Sequence, residues 1–385
     1  MVDARRPIAL SLPCFEGDEI EGLQRVLASG WVTQGPEVAA FEREFAEAHG
    51  ASYGVACTSG STALHLILAA LGVGPGDEVM VPSFTWVATV NAVLLTGAEP
   101  VLLDVDPRTF NLRADVIASR LTTRTRAIVA VHLFGLCADV QAIAAQAPGV
   151  PIVEDAACAA GGLHRGTQAG SLGVAAAFSF HPRKTLTTGE GGMVTTSDSA
   201  LAERLRRLRN HGASMPSDLP SPPPPHAMPI VSELGFNYRM TDLQAALGRR
   251  QLTRLPGFIA ERRRLASRYT EGLSDLPWLR LPAGQPGAPE LAEHTFQSYV
   301  CIVDEAALGR SRNDLMDELA AAGIATRPGT HAVHMLAYHR ERLGVAPGVL
   351  PGATICDGAS MAIPMHNRLS DADQDYVIER LRAAV

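Results

Sequence analysis

Between residues 53 and 156 the chain alternates short, almost wholly apolar runs with longer stretches in which apolar residues return every three or four positions. "YGVAC" (53–57), "EVMVP" (78–82), "PVLLDV" (100–105), "RAIVAVHLF" (126–134) and "PIVEDA" (151–156) read as strands. "STALHLILAAL" after the first, "WVATVNAVLLTG" after the second and "DVQAIAAQA" between the last two read as helices. Continuous apolar strands mark a sheet buried on both faces, and strands separated by helices mark parallel pairing. The expected class is α/β, a mostly parallel sheet sandwiched by helices. Ligands bind such sheets beyond the carboxyl ends of the strands.

The pattern changes after Gly192. "SALAERLRRLRNHG" is an amphipathic helix with Gly212 as its expected C-cap. The stretch 215–229, "MPSDLPSPPPPHAMP", holds too much proline for helix or central strand and reads as a linker or a loop over a site. A long helix is expected from near Thr241, its N-cap, with an interruption at Pro256 before it resumes to about Gly272. The strand "QSYVCIVD" and the helix "SRNDLMDELAAAG" then suggest a smaller α/β unit. These shifts predict a large domain over 1–250 and a small C-terminal domain over 251–385.

Composition narrows the function classes. The chain has 385 residues, 46% hydrophobic and 19% charged, enough for a large core and too apolar for disorder. A net charge of -7 counts against a nucleic-acid partner, which calls for a basic surface. The six cysteines are scattered with no C-x-x-C pair, which fits a reducing compartment and neither a disulfide framework nor a zinc site. "MVDARRPIAL" lacks the apolar segment of a signal peptide, and "AVLLTGAEPVLLDVD" is broken by Gly97, Glu99 and Pro100. The expected location is the cytoplasm, with no membrane partner.

The stretch "FSFHPRKTLTTGEGGMV" sets one lysine, Lys184, between an apolar run and a series of glycines. Most loop lysines are simply solvated, but one in such a setting is a candidate for Schiff-base chemistry. Its companions decide. Asp155 ends the strand "PIVEDA", where a bare carboxylate is expensive unless paired. Such an acid suits pyridoxal phosphate (PLP), whose pyridine nitrogen needs an acidic partner, although a helix N-cap is an equally ordinary role. Glu154 alternates to the opposite face. In "CTSGSTALHL", Ser59, Gly60 and Ser61 stand where a helix N-terminus favours phosphate, and Ser179 could add a hydroxyl. Trp86, at a strand-to-helix junction, could stack on a flat ring.

Together, "SGWVTQGPEVAAFE", "CTSGSTALHL", "PSFTWVATVNAV", "DVDPRTFNL", "EDAACAAGG", "FSFHPRKTLTTGEGGMV" and "GFNYRMTDLQAALG" resemble the successive motifs of the DegT/StrS family, in order and over nearly the whole chain. The resemblance implies a fold type I, PLP-dependent sugar aminotransferase. It implies that Lys184 forms the Schiff base and then moves the substrate proton. Asp155 would pair with the pyridinium nitrogen, Trp86 would stack on the ring, and Ser59, Gly60, Ser61 and Ser179 would hold the phosphate. Asn237 would reach the phosphate of a neighbouring subunit, which implies a homodimer with shared active sites. Many members have Gln where this chain has Cys158, near the cofactor hydroxyl. An amino acid, glutamate by resemblance, would supply the amine and a nucleotide-linked keto-sugar would accept it. His181, Arg239, Arg327 and His331 are the candidate substrate contacts, with the loop 215–229.

Other readings stay open at this stage. The acceptor could be a cyclitol ketone, or the protein a PLP-binding regulator without turnover. "DVD" (104–106) resembles the D-x-D of metal-dependent glycosyltransferases, although a turn before Pro107 explains it more simply. His331 and His334 stand at i, i+3 and His339 follows, but no carboxylate or cysteine in that segment completes a metal set.

Overall fold

The computed structural model describes residues 7–216, 224–282 and 293–384. Helices α1 (Glu19–Ser29) and α2 (Pro36–Ala48) precede strand β1 (Tyr53–Cys57). Then come α3 (Gly60–Ala70), β2 (Glu78–Pro82), the short β3 (Phe84–Thr85), α4 (Ala88–Leu95), β4 (Glu99–Leu103), β5 (Thr125–Val131), α5 (Val140–Gln146) and β6 (Ile152–Asp155). A small hairpin, β7 (Leu163–His164) with β8 (Thr167–Gln168), leads to β9 (Ala175–Ser179) and β10 (Gly192–Thr196).

The main sheet has seven strands in the order β1-β10-β9-β6-β5-β2-β4. Pairing is parallel from β9 across to β4, and β10 runs antiparallel to both β9 and β1. The strand alternation explains the two covering layers. In β5, Ala127, Val129 and Val131 join the core on one face, while Ile128 and Ala130 join a cluster on the other. In β9, Ala175 and Ala177 divide from Ala176 and Phe178 in the same way.

Helix α6 (Ser199–Arg209) is followed by the hairpin β11 (Ala213–Ser214) with β12 (Ile230–Val231), and then by α7 (Asp242–Leu273). A second, antiparallel sheet, in the order β13 (Leu279–Arg280), β14 (Tyr299–Val303), β16 (Ser360–Ile363), packs against the end of α7. Strand β15 (His331–Ala332) pairs with β3 of the first half.

Two local expectations are corrected. Helix α6 ends at Arg209, capped by Asn210 rather than Gly212. The bridge from Asn210 to Asn237 draws the backbone out of the helix there. Gly212 instead allows close passage of the next loop, since a Cβ on it would lie 1.8 Å from Glu233 O. The second correction concerns Pro256, which interrupts nothing: α7 runs unbroken for 32 residues, with Thr241 as N-cap in a reciprocal capping box with Gln244. Pro256 itself is exposed, so its ring meets solvent, and its missing N–H removes the helical bond to the Leu252 carbonyl.

Both flanks of Pro256 are anchored. Ala245, Leu252, Leu255 and Ile259 pack beneath the main sheet, while Leu265, Ala266, Tyr269 and Leu273 pack in the core of the second sheet. The expected boundary at residue 250 therefore falls inside a helix that both cores share.

Candidate active site

The carboxyl ends of β1, β6 and β9 open onto one cavity of about 570 Å³. Its lining includes Ser59, Gly60, Ser61, Trp86, Asp155, Cys158, Ser179, His181, Lys184 and Arg327. Residues far apart in sequence thus meet where a parallel sheet places its ligands.

Lys184 is held by the compact loop between β9 and β10. Phe180 N donates to Gly191 O (2.8 Å), Thr188 N to Phe180 O (3.0 Å) and Lys184 N to His181 O (2.8 Å). Gln297 clamps the loop from outside, its Nε2 donating to Arg183 O at 2.8 Å. The glycines after the lysine serve contact. A Cβ on Gly192 would lie 2.3 Å from Ser59 O, so only glycine lets this strand start against the first turn of α3. The lysine Nζ lies 3.1 Å from Cys158 Sγ.

Asp155 ends β6 with only 6% of its surface exposed. Its Oδ2 accepts from Thr89 Oγ1 (2.7 Å) and its Oδ1 from Ala157 N (3.2 Å). No cationic side chain among the described residues forms an ion pair with it. Its neighbour Glu154 points to the other face and is wholly buried. There it accepts from the amides of Gly170, Leu172 and Gly173, each at 2.8 Å. His132 completes the set: its Nδ1 accepts from Ala138 N, so its proton sits on Nε2 and goes to Glu154 Oε2 at 2.9 Å. Burial pushes the Glu154 carboxyl up, but His132 and the amides outweigh it and hold its pKa below the usual glutamate value.

Helix α3 begins with a capping box in which Ser59 Oγ accepts from Thr62 N. Its first amides have no partner within the helix, and Gly60 and Ser61 line the cavity. A Cβ on Gly60 would stand 2.7 Å from Ser179 Cβ, so glycine brings this helix end and the β9 hydroxyl together. Trp86 is 53% exposed, with its ring 5.6 Å from that of His331. Burial, aided by nearby Lys184 and Arg183, moves the His181 pKa below the ordinary histidine value. Arg327 is moved down by burial and by Arg183.

Three candidates stand outside the lining. Arg239 pairs its backbone with Cys57 and gives its guanidinium to Asn210 Oδ1 at 2.7 Å. Asn237 is exposed. His331 lies behind the lining, paired in the β3–β15 register with Thr85 and with its ring beside Trp86. Of the loop 215–229, residues 217–223 lie outside the described residues.

Reading the sequence alone missed Thr85, Thr89, Ser11 and Gln297. Thr89 follows Trp86 by three residues, but Trp86 precedes α4 and is exposed whereas Thr89 is buried, so helical spacing gave no signal. Ser11 and Gln297 arrive through non-local pairing, as in Met365 N donating to Leu10 O.

The alternative metal readings find no support in the geometry. Asp104 accepts from the amides of Gly352 and Ala353, and Asp106 pairs with Arg108. His331 sits on a strand and His334 in a 3₁₀ turn, so they do not share a helix. No group of metal-ligating side chains occurs among the described residues.

A profile of the DegT/DnrJ/EryC1/StrS aminotransferase family matches residues 13–382. The chain belongs to this family. It is 39% identical over 377 residues to GDP-perosamine synthase of Caulobacter vibrioides, covering 97% of both chains. Among solved structures it is similar to the aminotransferase TlmJ of Streptoalloteichus hindustanus, at 35% identity with a TM-score of 0.88 and 98% of both chains covered. Spr1654 of Streptococcus pneumoniae is similar in its PMP form (29% identity) and its PLP form (28%), each with a TM-score of 0.89. The alignments cover 98% of this chain in both, with 97% and 98% of that protein.

The protein is a PLP-dependent aminotransferase of fold type I, and its own residues fit that cofactor. A buried carboxylate with no cationic side chain paired to it among the described residues, a lysine amine and a glycine-relieved helix N-terminus converge on one cavity. No described helix is long and apolar enough to cross a membrane.

Proposed function

We propose that this aminotransferase moves the amine of an amino acid, glutamate, onto a nucleotide-linked keto-sugar. The juxtaposition of Lys184 and Asp155 in a single cavity carries the reading of the chemistry. When bound, PLP supplies an electron sink for the carbanion left when the substrate proton departs. Lys184 Nζ takes that proton and returns it, in both half-reactions. Asp155, whose oxygens Thr89 and Ala157 orient, would pair with the pyridine nitrogen. The Gly60 and Ser61 amides, with the Ser59 and Ser179 hydroxyls, would hold the phosphate, and Trp86 would cover the ring.

His181 and Arg327 face the substrate from the cavity wall. The nucleotide link is supported by the 39% identical relative, whose name carries a GDP-linked sugar. We place the enzyme in the cytoplasm, a reading its free cysteines support.

The working unit we propose is a homodimer in which Asn237 completes the neighbour's site. Asn237 is exposed, and the hairpin beside it exposes Met228, Ile230, Val231 and Leu234 at 58–89%. Exposed apolar patches of this kind mark protein–protein interfaces, which supports the reading.

The test is the near-visible spectrum of the purified protein before and after glutamate. The band of lysine-linked cofactor should collapse, and a nucleotide-linked keto-sugar should restore it. In Lys184→Ala the band should be absent and transamination should fall roughly 10²–10⁴-fold. A band that ignores every amino acid would instead indicate a regulator.

A further inference from the structure

A chain of two hydroxyls reaches the Asp155 carboxylate. Thr89 Oγ1 lies 2.7 Å from Asp155 Oδ2, and Thr85 Oγ1 lies 3.0 Å from Thr89 Oγ1. Both threonines are 1% exposed, so water does not compete for these contacts. A hydroxyl has one proton and a carboxylate accepts. Thr89 therefore commits its proton to Asp155, and its lone pairs accept from Thr85. The direction of the chain is fixed, from Thr85 through Thr89 to Asp155.

The far end of this chain is also anchored. Thr85 closes β3 and is opposite His331 in the pairing with β15. Trp86 follows directly, with its ring beside that of His331. Thr89 lies in the first turn of α4. The hydroxyls thus tie the end of β6 to the segment that carries Trp86, and so fix two walls of the cavity relative to each other. Within the described residues, Thr89 is the one side chain that hydrogen-bonds Asp155.

We propose that Thr89, itself oriented by Thr85, is a positioning residue that holds the Asp155 carboxylate where it meets the cofactor's pyridine nitrogen. This rests on the role proposed above for Asp155. Without the Thr89 proton, the carboxylate keeps one backbone donor and can rotate about its terminal torsion, which is broad and easily turned.

The experiment compares holoenzymes of Thr89→Val, Thr89→Ser, Thr85→Val, Asp155→Asn and the pair Thr89→Val with Asp155→Asn. PLP release is followed by loss of visible absorbance, alongside kcat and KM. Thr89→Val keeps the branched shape and should bind PLP about tenfold more weakly, the worth of one hydrogen bond to a charged group. Its kcat should fall while the donor KM holds. Thr89→Ser should stay within about twofold of wild type, with Thr85→Val between the two. On the Asp155→Asn background, Thr89→Val should add nothing.

The proposal is overturned if Thr89→Val retains wild-type PLP binding and kcat, or if Thr89→Ser does equal damage, which would point to methyl packing. A full Thr89→Val effect on the Asp155→Asn background would overturn it too. An unimpaired Asp155→Asn would remove the role of Asp155 and the relay with it, whereas an impaired Asp155→Asn beside a normal Thr89→Val would sink the relay alone. Thr89→Ser and Thr85→Val keep the test open should Thr89→Val fail to fold.

Discussion

Two carboxylates stand side by side at the end of β6, and their surroundings assign them different work. Asp155 faces the cavity with no cation beside it, whereas Glu154 is sealed on the other face by His132 and three amides. Because the Glu154 pKa is lowered in the fold, its contribution is complete above the ordinary glutamate value and is lost as pH falls through the lowered one. Glu154→Gln should therefore destabilise the protein by about 3 kcal/mol near neutrality. The gap from wild type should narrow in acid, as urea unfolding at about pH 7 and about pH 4 would reveal. The period of two along a strand was enough to separate these acids in the sequence. The burial of His132 beside Glu154 was not, because the two come together only through the register of β5 on β6.

At the scale of elements, the phosphate cradle depends on close approach. Gly60→Ala would drive a methyl into Ser179 Cβ, and should weaken PLP binding by about tenfold or more with the melting temperature little changed. A titration with PLP after dialysis would measure it. The motif "CTSGSTALHL" made this helix start legible, since capping residues and glycine leave local signatures. Helix α7 shows the opposite case. Proline forbids the local hydrogen bond, but packing on both sides of Pro256 holds the helix straight through it. Pro256→Ala should restore that bond on an exposed face and raise stability by about 1–3 kcal/mol, readable by chemical denaturation. No local rule could have reported this, because the decision is made by packing against residues distant in the chain on both sides of it.

For the whole molecule, the mostly parallel pairing and the site end of the sheet followed from the alternation of apolar runs with helices, whereas the order of the strands did not. The antiparallel β10 did not, since nothing in "GMVTT" encodes its direction. Nor did the arrival of Leu10, Ser11 and Met365 at the cavity, which requires the N-terminal segment to pair with the C-terminal one. The proposed sharing of sites between subunits predicts complementation. Lys184→Ala and Asn237→Ala proteins, each weak alone, should regain activity when unfolded and refolded together, because one site of each mixed dimer is then intact. A mixture no more active than its parts would count against a shared site.

Helix α7 carries one side of each core along a single rigid rod. Loss of either core would expose an apolar stripe and strip the rod of half its support. The two sheets are thus energetically one body, and heat should melt them in a single calorimetric peak whose van't Hoff and calorimetric enthalpies agree. Two resolved peaks would mean that each half of the helix can stand without the other.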